Sequence, residues 1–334
     1  MKAVVVLALA ACSSPATTHI DAPAGPWSRG PDIGCSAGSA GCTPVPRLEP
    51  GVTALGQRVV VVGGFDTDLN AGLDITKRVD VYDTLDNTWS QLPDAPVAWT
   101  HIQLAAIGTT LYLLGGLEGQ TYTARGESFA LDTLDPNAQW RPLATMPQGM
   151  ERGSAAVIVA PPRIYLLGGA STSNALATNL YYDTEADAWG QLMPDLPSAR
   201  SHPAGMRRSD GTLIVAGGLG TLDSSSQTND VWSLIPLGTM WETKTPMPSA
   251  RGGCAYGVVQ GQLICAGGEA GTSAYNIVES YDPLADVWTT LPPMPEPRAG
   301  TQGAAVGTRF FVPGGARELV FEPTASLFVY TANP

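Results

Sequence analysis

The sequence is poor in positive charge: 18 Lys and Arg stand against 30 Asp and Glu, a formal net charge of −12. Phosphate backbones bind through clustered basic side chains that release counterions, so nucleic acid is not an expected partner. No long stretch is free of both glycine (38) and proline (28), which leaves nowhere for a long helix and many places for turns. No apolar run approaches the ~20 residues of a membrane-spanning helix. An H-E-x-x-H zinc helix and a phosphate-binding glycine loop are also missing. The composition is that of an all-β chain whose chemistry, if it has any, is not carried by a short motif.

What is present is one stretch repeated six times. Residues 59–64 read V-V-V-V-G-G, a β-branched run that stops at two glycines. The other copies are L-Y-L-L-G-G at 111–116, I-Y-L-L-G-G at 164–169, L-I-V-A-G-G at 213–218, L-I-C-A-G-G at 263–268 and F-F-V-P-G-G at 310–315. Successive glycine pairs are spaced by 52, 53, 49, 50 and 47 residues. A period of this size marks a radial array of small sheets, and such an array is one closed domain whatever its length suggests.

Residues 47–96 give the unit in full. Strands are predicted over 50–55 and 57–62 around Gly56, over 78–83, and over 89–92, making a four-stranded blade. Tyr82-Asp83, Tyr182-Asp183 and Tyr281-Asp282 are each followed, seven residues from the tyrosine, by Trp89, Trp189 and Trp288. In blades two and four Trp140 and Trp241 follow Leu131 and Leu234 instead, which predicts looser third strands there. The double glycine, the tyrosine, the tryptophan and a Met-Pro-x-x-Arg-like stretch together resemble the kelch family of β-propellers, over residues 26–331. The sixth repeat ends without a tryptophan strand. Trp27-Ser28-Arg29-Gly30-Pro31-Asp32 matches Trp89-Ser90-Gln91-Leu92-Pro93-Asp94 at four of six positions, so the N-terminal segment is expected to close the last blade. The fold class is therefore a six-bladed kelch-type propeller over residues 26–334. Closure removes the open edge that invites pairing with another chain, and a monomer is expected.

Met1-Lys2 followed by eight apolar residues reads as an export signal, and Leu9-Ala10-Ala11-Cys12 resembles the bacterial lipobox. This implies a signal peptide over 1–11, lipidation of Cys12, and a tether over 12–25 that includes His19. Ser13 after the cysteine favours the outer membrane of the cell envelope, with the membrane reached through the lipid anchor alone. Export makes the other cysteines candidates for disulfides. Cys35 and Cys42 bracket a small-residue loop and are expected to pair. Cys254 and Cys265 flank a hairpin turning at Gln260-Gly261, where Cys265 falls opposite Tyr256. The two cysteines are diagonal neighbours there, and both a disulfide and two thiols remain open.

For the site, an arginine recurs just before the inner strand of each blade, at Arg47, Arg152, Arg200, Arg251 and Arg298, with Trp99 in that slot in blade two. The resemblance implies that they ring one mouth of a central channel, where guanidinium groups suit anionic ligands; the alternative is that they brace the repeat. His101, and His202 beside Ser201, lie two residues past the arginine slot. Galactose oxidase has a kelch-type propeller with a copper site, but residues two blades apart are expected to face each other across the channel, beyond reach of one ion. Asp66, Asp68, Asn70 and Asp74 alternate in the loop after the first glycine pair and form a candidate calcium site; no other cofactor is implied. The expected function is a binding scaffold for a protein, peptide or glycan. The alternative is a cofactor-independent sugar-active enzyme such as a sialic acid mutarotase, using residues such as Arg200, Arg251, Glu118 and Glu269.

Overall fold

A computed structural model describes residues 25–39, 41–67, 72–192, 194–319 and 321–332. Its six main sheets have the antiparallel order innermost to outermost strand, one sheet per repeat. In blade one the strands are Gly51–Leu55, Arg58–Val62, Val79–Asp83 and Thr88–Leu92, within a residue or two of the sequence expectation. Val59, Val60, Val61 and Val62 are all fully buried. A strand packed on both faces by neighbouring blades reads as an unbroken apolar run rather than an alternating one.

The glycine pair ends this strand for a steric reason. Gly63 and Gly64 have φ of 65° and 84°, and a Cβ on either would sit 2.5 Å from the Trp99 carbonyl or 2.6 Å from that of Leu48. The chain turns out of the sheet where two other backbones already pass, so no side chain fits.

Six tryptophans fasten the outer rim. The indole N–H of Trp27 donates to the Pro292 carbonyl, Trp89 to Pro31, Trp140 to Pro93, Trp189 to Ala144, Trp241 to Pro194 and Trp288 to Thr245, all at 2.8–3.1 Å. Each bond links a blade to the one before it, and together they run round the whole ring. The tyrosines ahead of three of them are buried and donate to Asn87, Asp187 and Asp286 five residues on. Blade six takes Trp27–Gly30 as its outer strand, antiparallel to Leu327–Thr331 with Trp27 opposite Tyr330, and the ring is closed as expected.

Blade two corrects one expectation. Its third strand, Thr123–Asp132, is the longest of the ring at 10 residues, because the pairing continues past the glycine pair after a register shift between Leu114 and Gly116. Cys35 is bridged to Cys42 with Cα atoms 5.7 Å apart, and Cys254 to Cys265 at 5.5 Å. The second bridge is diagonal: Tyr256 does pair with Cys265, but Cys254 precedes the first ladder residue, Ala255, and is free to lean across.

Candidate functional site

The five arginines do not line the channel. Arg47 and Arg152 are 0% exposed, Arg251 and Arg298 1%, and Arg200 3%. Each guanidinium lies inside its own blade, against the third-strand residue two positions before the tyrosine slot or against loop carbonyls. Arg47 pairs with Asp80 at 2.7 Å and Arg251 with Glu279 at 2.5 Å. Arg200 and Arg298 stack over Trp232 and Phe328, and also pair with Asp230 and Glu296. In blade two Trp99 meets Phe129 at that same position. Arg152 donates to the carbonyls of Met150, Gly168 and Thr178, and burial lowers its pKa to about 10. The expected cationic mouth is thus corrected: repeat-encoded arginine braces the repeat. Glu118 pairs with Arg125, so it, Arg200 and Arg251 do not gather with Glu269 at the channel.

The mouth is built from the residue two positions further on in every blade: Glu49, His101, Ser154, His202, Gly253 and Gly300. All six have positive φ, between 51° and 63°. Five backbone hydrogen bonds join them in a row from Gly300 round to Gly253: Glu49 N–H to Gly300 C=O, His101 to Glu49, Ser154 to His101, His202 to Ser154 and Gly253 to His202, at 2.7–3.1 Å. A left-handed conformation costs about 1–2 kcal/mol at each non-glycine residue, and four of the six accept it. A hexagon with sides of about 5 Å, the spacing of hydrogen-bonded neighbours, has a radius of about 5 Å. Side chains two blades apart therefore meet. The rings of His101 and His202 are 5.1 Å apart, where they were expected to be held apart by the channel.

Around them the mouth is acidic. His101 Nε2 lies 3.3 Å from Glu49 Oε2, and Tyr122 packs edge-on to His101 at 5.5 Å. Burial pushes the pKa of His101 down to about 3 and, with help from His101, that of His202 to about 4. Burial raises Glu49 and, with Glu49 adding to it, lifts Glu269 to about 7. Among the described residues no arginine or lysine pairs with Glu49 or Glu269. A cavity of about 120 Å³ beside the ring is lined by Leu48, Glu49, Glu269, Glu318, Leu319 and Phe321.

Below the ring the channel is crossed by two side chains. Tyr256 Oη accepts from the Val157 N–H at 2.7 Å, and Gln302 accepts from Val52 and donates to the Ile102 carbonyl. Beyond them a chamber of about 260 Å³ opens between the inner strands. Ser201 is buried beside His202 and donates to the Thr221 carbonyl. In the candidate calcium loop, Asp66 and Asp74 are joined by a backbone hydrogen bond; Asp68 and Asn70 lie outside the described residues, as do Cys12 and His19. Glu49 and Ser154, which bonds to His202, are side-chain-bearing mouth residues the sequence reading missed. Reading the histidine slot across all six repeats picks them out.

Six antiparallel blades, five of four strands and blade two of five, closed into a ring define a β-propeller. Residues 101–315, well over half of the chain, match the KLHDC2/KLHL20/DRC7 Kelch-repeats domain, and residues 46–96 match the Kelch motif. The chain belongs to the kelch-repeat family. It is 30% identical to Kelch-like protein terF of Aspergillus terreus over 79% of this chain and 58% of that one. It is 26% identical to Beta-scruin of Limulus polyphemus over 61% of this chain and 24% of that one, and 26% identical to Kelch-like protein 23 of Mus musculus over 66% and 37%. It therefore spans less than two thirds of the length of these relatives. Kelch propellers generally bind proteins.

Proposed function

We propose that this chain is an exported binding scaffold, anchored to the bacterial outer membrane through lipid on Cys12 and acting as a monomer. Its ligand is a protein or peptide segment, taken at the channel mouth. The observation that carries the reading is the cavity beside the ring. It combines apolar Leu48, Leu319 and Phe321 with three carboxylates, Glu49, Glu269 and Glu318, and it lies on the face where the loops after the glycine pairs emerge. An apolar floor with a few convergent charged groups is the usual construction of a binding pocket. Here the charge favours a segment bearing lysine or arginine beside an apolar residue. A glycan ligand remains within the scaffold reading, but it would not need so many carboxylates.

A displayed peptide library panned on the full-length protein tests the ligand. Enrichment of basic peptides, with binding weakened by salt and by Glu318→Lys, supports the proposal; enrichment of acidic peptides, or binding indifferent to Glu318→Lys, removes it. The anchor is tested separately by fractionation. Cys12→Ala is expected to move the protein into a soluble exported pool, and a variant still bound to membranes overturns the lipoprotein assignment.

A further inference from the structure

We propose that Glu49, His101 and His202 form a binding site for one first-row divalent metal ion, held on the propeller axis by three different blades. The donor atoms of the three residues lie within 4.8 Å of one another. The 3.3 Å between His101 Nε2 and Glu49 Oε2 is close to the edge of a tetrahedron with the ~2.0–2.1 Å bonds of zinc to imidazole or carboxylate, which is about 3.3 Å.

The hydrogen bonds behind the His202 ring fix which of its nitrogens faces the site. Ser201 gives its only hydroxyl proton to the Thr221 carbonyl at 2.8 Å. Its oxygen can then only accept from His202 Nδ1, 3.2 Å away, so that nitrogen carries the proton and Nε2 holds a lone pair. Thr100 Oγ1 lies 2.9 Å from His101 Nδ1 and 3.4 Å from the Leu117 carbonyl, so the tautomer of His101 is set by what meets its Nε2. His202 thus turns an unprotonated Nε2 to the axis, held from behind by an N–H donor bond, as metal-binding histidines are. On His202 that lone pair is met by the Ser154 hydroxyl at 3.1 Å. His101 Nε2 faces a Glu49 carboxylate oxygen at 3.3 Å, a pair that either a proton or a metal ion can join.

The rest of the site fits a cation. Glu269 Oε1 would lie 3.8 Å, and His202 Cδ2 4.0 Å, from a Cβ on Gly253, so a second carboxylate borders the cluster. Three protein donors leave a coordination position for water or a ligand. Imidazole with carboxylate suits zinc, copper, nickel or iron(II) better than magnesium or calcium. The left-handed backbone at all three ligand residues, with φ of 51–56°, is what aims their side chains inward, and strained non-glycine positions of this kind mark functional sites.

The test uses the full-length protein, stripped with chelator and titrated with Zn²⁺ by calorimetry. One ion per chain is expected, bound at micromolar or tighter dissociation constant. His101→Ala, His202→Ala and Glu49→Gln should each weaken binding by about tenfold or more, and His19→Ala, which changes the one remaining histidine, should leave it unchanged. Ser201→Ala acts through the tautomer of His202 and should weaken binding about 10–100-fold. If the ligand variants do not fold, X-ray absorption of the cobalt-loaded native protein decides, with two imidazoles expected around the ion. Absence of saturable binding, stoichiometric binding in His101→Ala/His202→Ala, or a coordination shell without imidazole overturns the proposal. The cluster would then be a carboxyl proton shared between Glu49 and His101.

Discussion

Replacing Arg251 by methionine should destabilise the propeller strongly, and removing its partner as well should restore most of the loss. Arg251 and Glu279 are 0% and 1% exposed at their side chains and bond at 2.5 Å. Glu279 also accepts from the Ser249 hydroxyl at 2.8 Å, and Arg251 donates to the Ser249 and Cys265 carbonyls. With the cation gone, the carboxylate keeps one hydroxyl donor and no counter-charge in a dry interior, which typically costs about 3–5 kcal/mol. A ring of about 300 residues, at ~2.1 cal/mol/K each, unfolds with an entropy near 0.6 kcal/mol/K, so the melting temperature should fall by about 5–8 °C. The double variant Arg251→Met/Glu279→Leu replaces the pair with apolar groups and should lie within about 1–2 kcal/mol of the native protein. Calorimetric or fluorescence melts of the three proteins supply the readout. A single variant that melts within a degree of native, or a double variant as unstable as the single, would refute the view that these arginines brace their blades.

Trp189→Phe keeps the ring but removes the N–H held by Ala144, and should cost about 1 kcal/mol in a denaturant titration; no loss would mean that the rim bonds are incidental. Asp187 accepts from the Ala144 N–H and from Tyr182, and both bonds hold its pKa below the ordinary carboxylate value. Its contribution is therefore present above the unfolded-state pKa and lost as pH falls through the lower folded value. Asp187→Asn should flatten the acid side of the stability profile, and an unchanged profile would reject the linkage. Deleting residues 13–34 takes away the closing strand and should lower the melting temperature of the whole ring; an unaltered melt would argue against closure as a source of stability. If Asp66, Asp68, Asn70 and Asp74 hold calcium, millimolar calcium should raise the melt relative to chelator by mass action, and identical melts would leave the loop without an ion.

The blade was legible because its signals are local. A β-branched run, two glycines, a tyrosine and a tryptophan at near-constant spacing specify strand, exit and rim without knowledge of the neighbours. The arginines were also visible, but their direction was not. What turns four of the five inward is a third-strand residue about 30 positions away that changes from blade to blade, Asp80, Trp232, Glu279 or Phe328, while Arg152 is held by carbonyls. The mouth was harder still. His101 and His202 stood out as the same slot in two repeats, yet their meeting depends on the diameter of a backbone ring that exists only when six blades have closed. Glu49 carried no signal of its own, because one glutamate in an acidic chain is unremarked until the six slots are superposed.

The seam in blade six also sets an order of assembly. Trp27 lies opposite Tyr330, and its indole reaches Pro292, 265 residues along the chain. Five blades can be completed from strands that follow one another closely, but the sixth, whose outer strand is made first, has no partner for that strand until the chain has been made through Thr331. At ~5–20 residues per second, roughly 300 residues take about 15–60 s to synthesise, and for that time the first strand has nothing to pair with. Because Trp27–Gly30 and Leu327–Thr331 lie side by side, the waiting is a property of the strand order along the chain and not of the ring. A chain joined across the seam and opened instead at the exposed Gln260-Gly261 hairpin would build the same six blades with a different strand left until last.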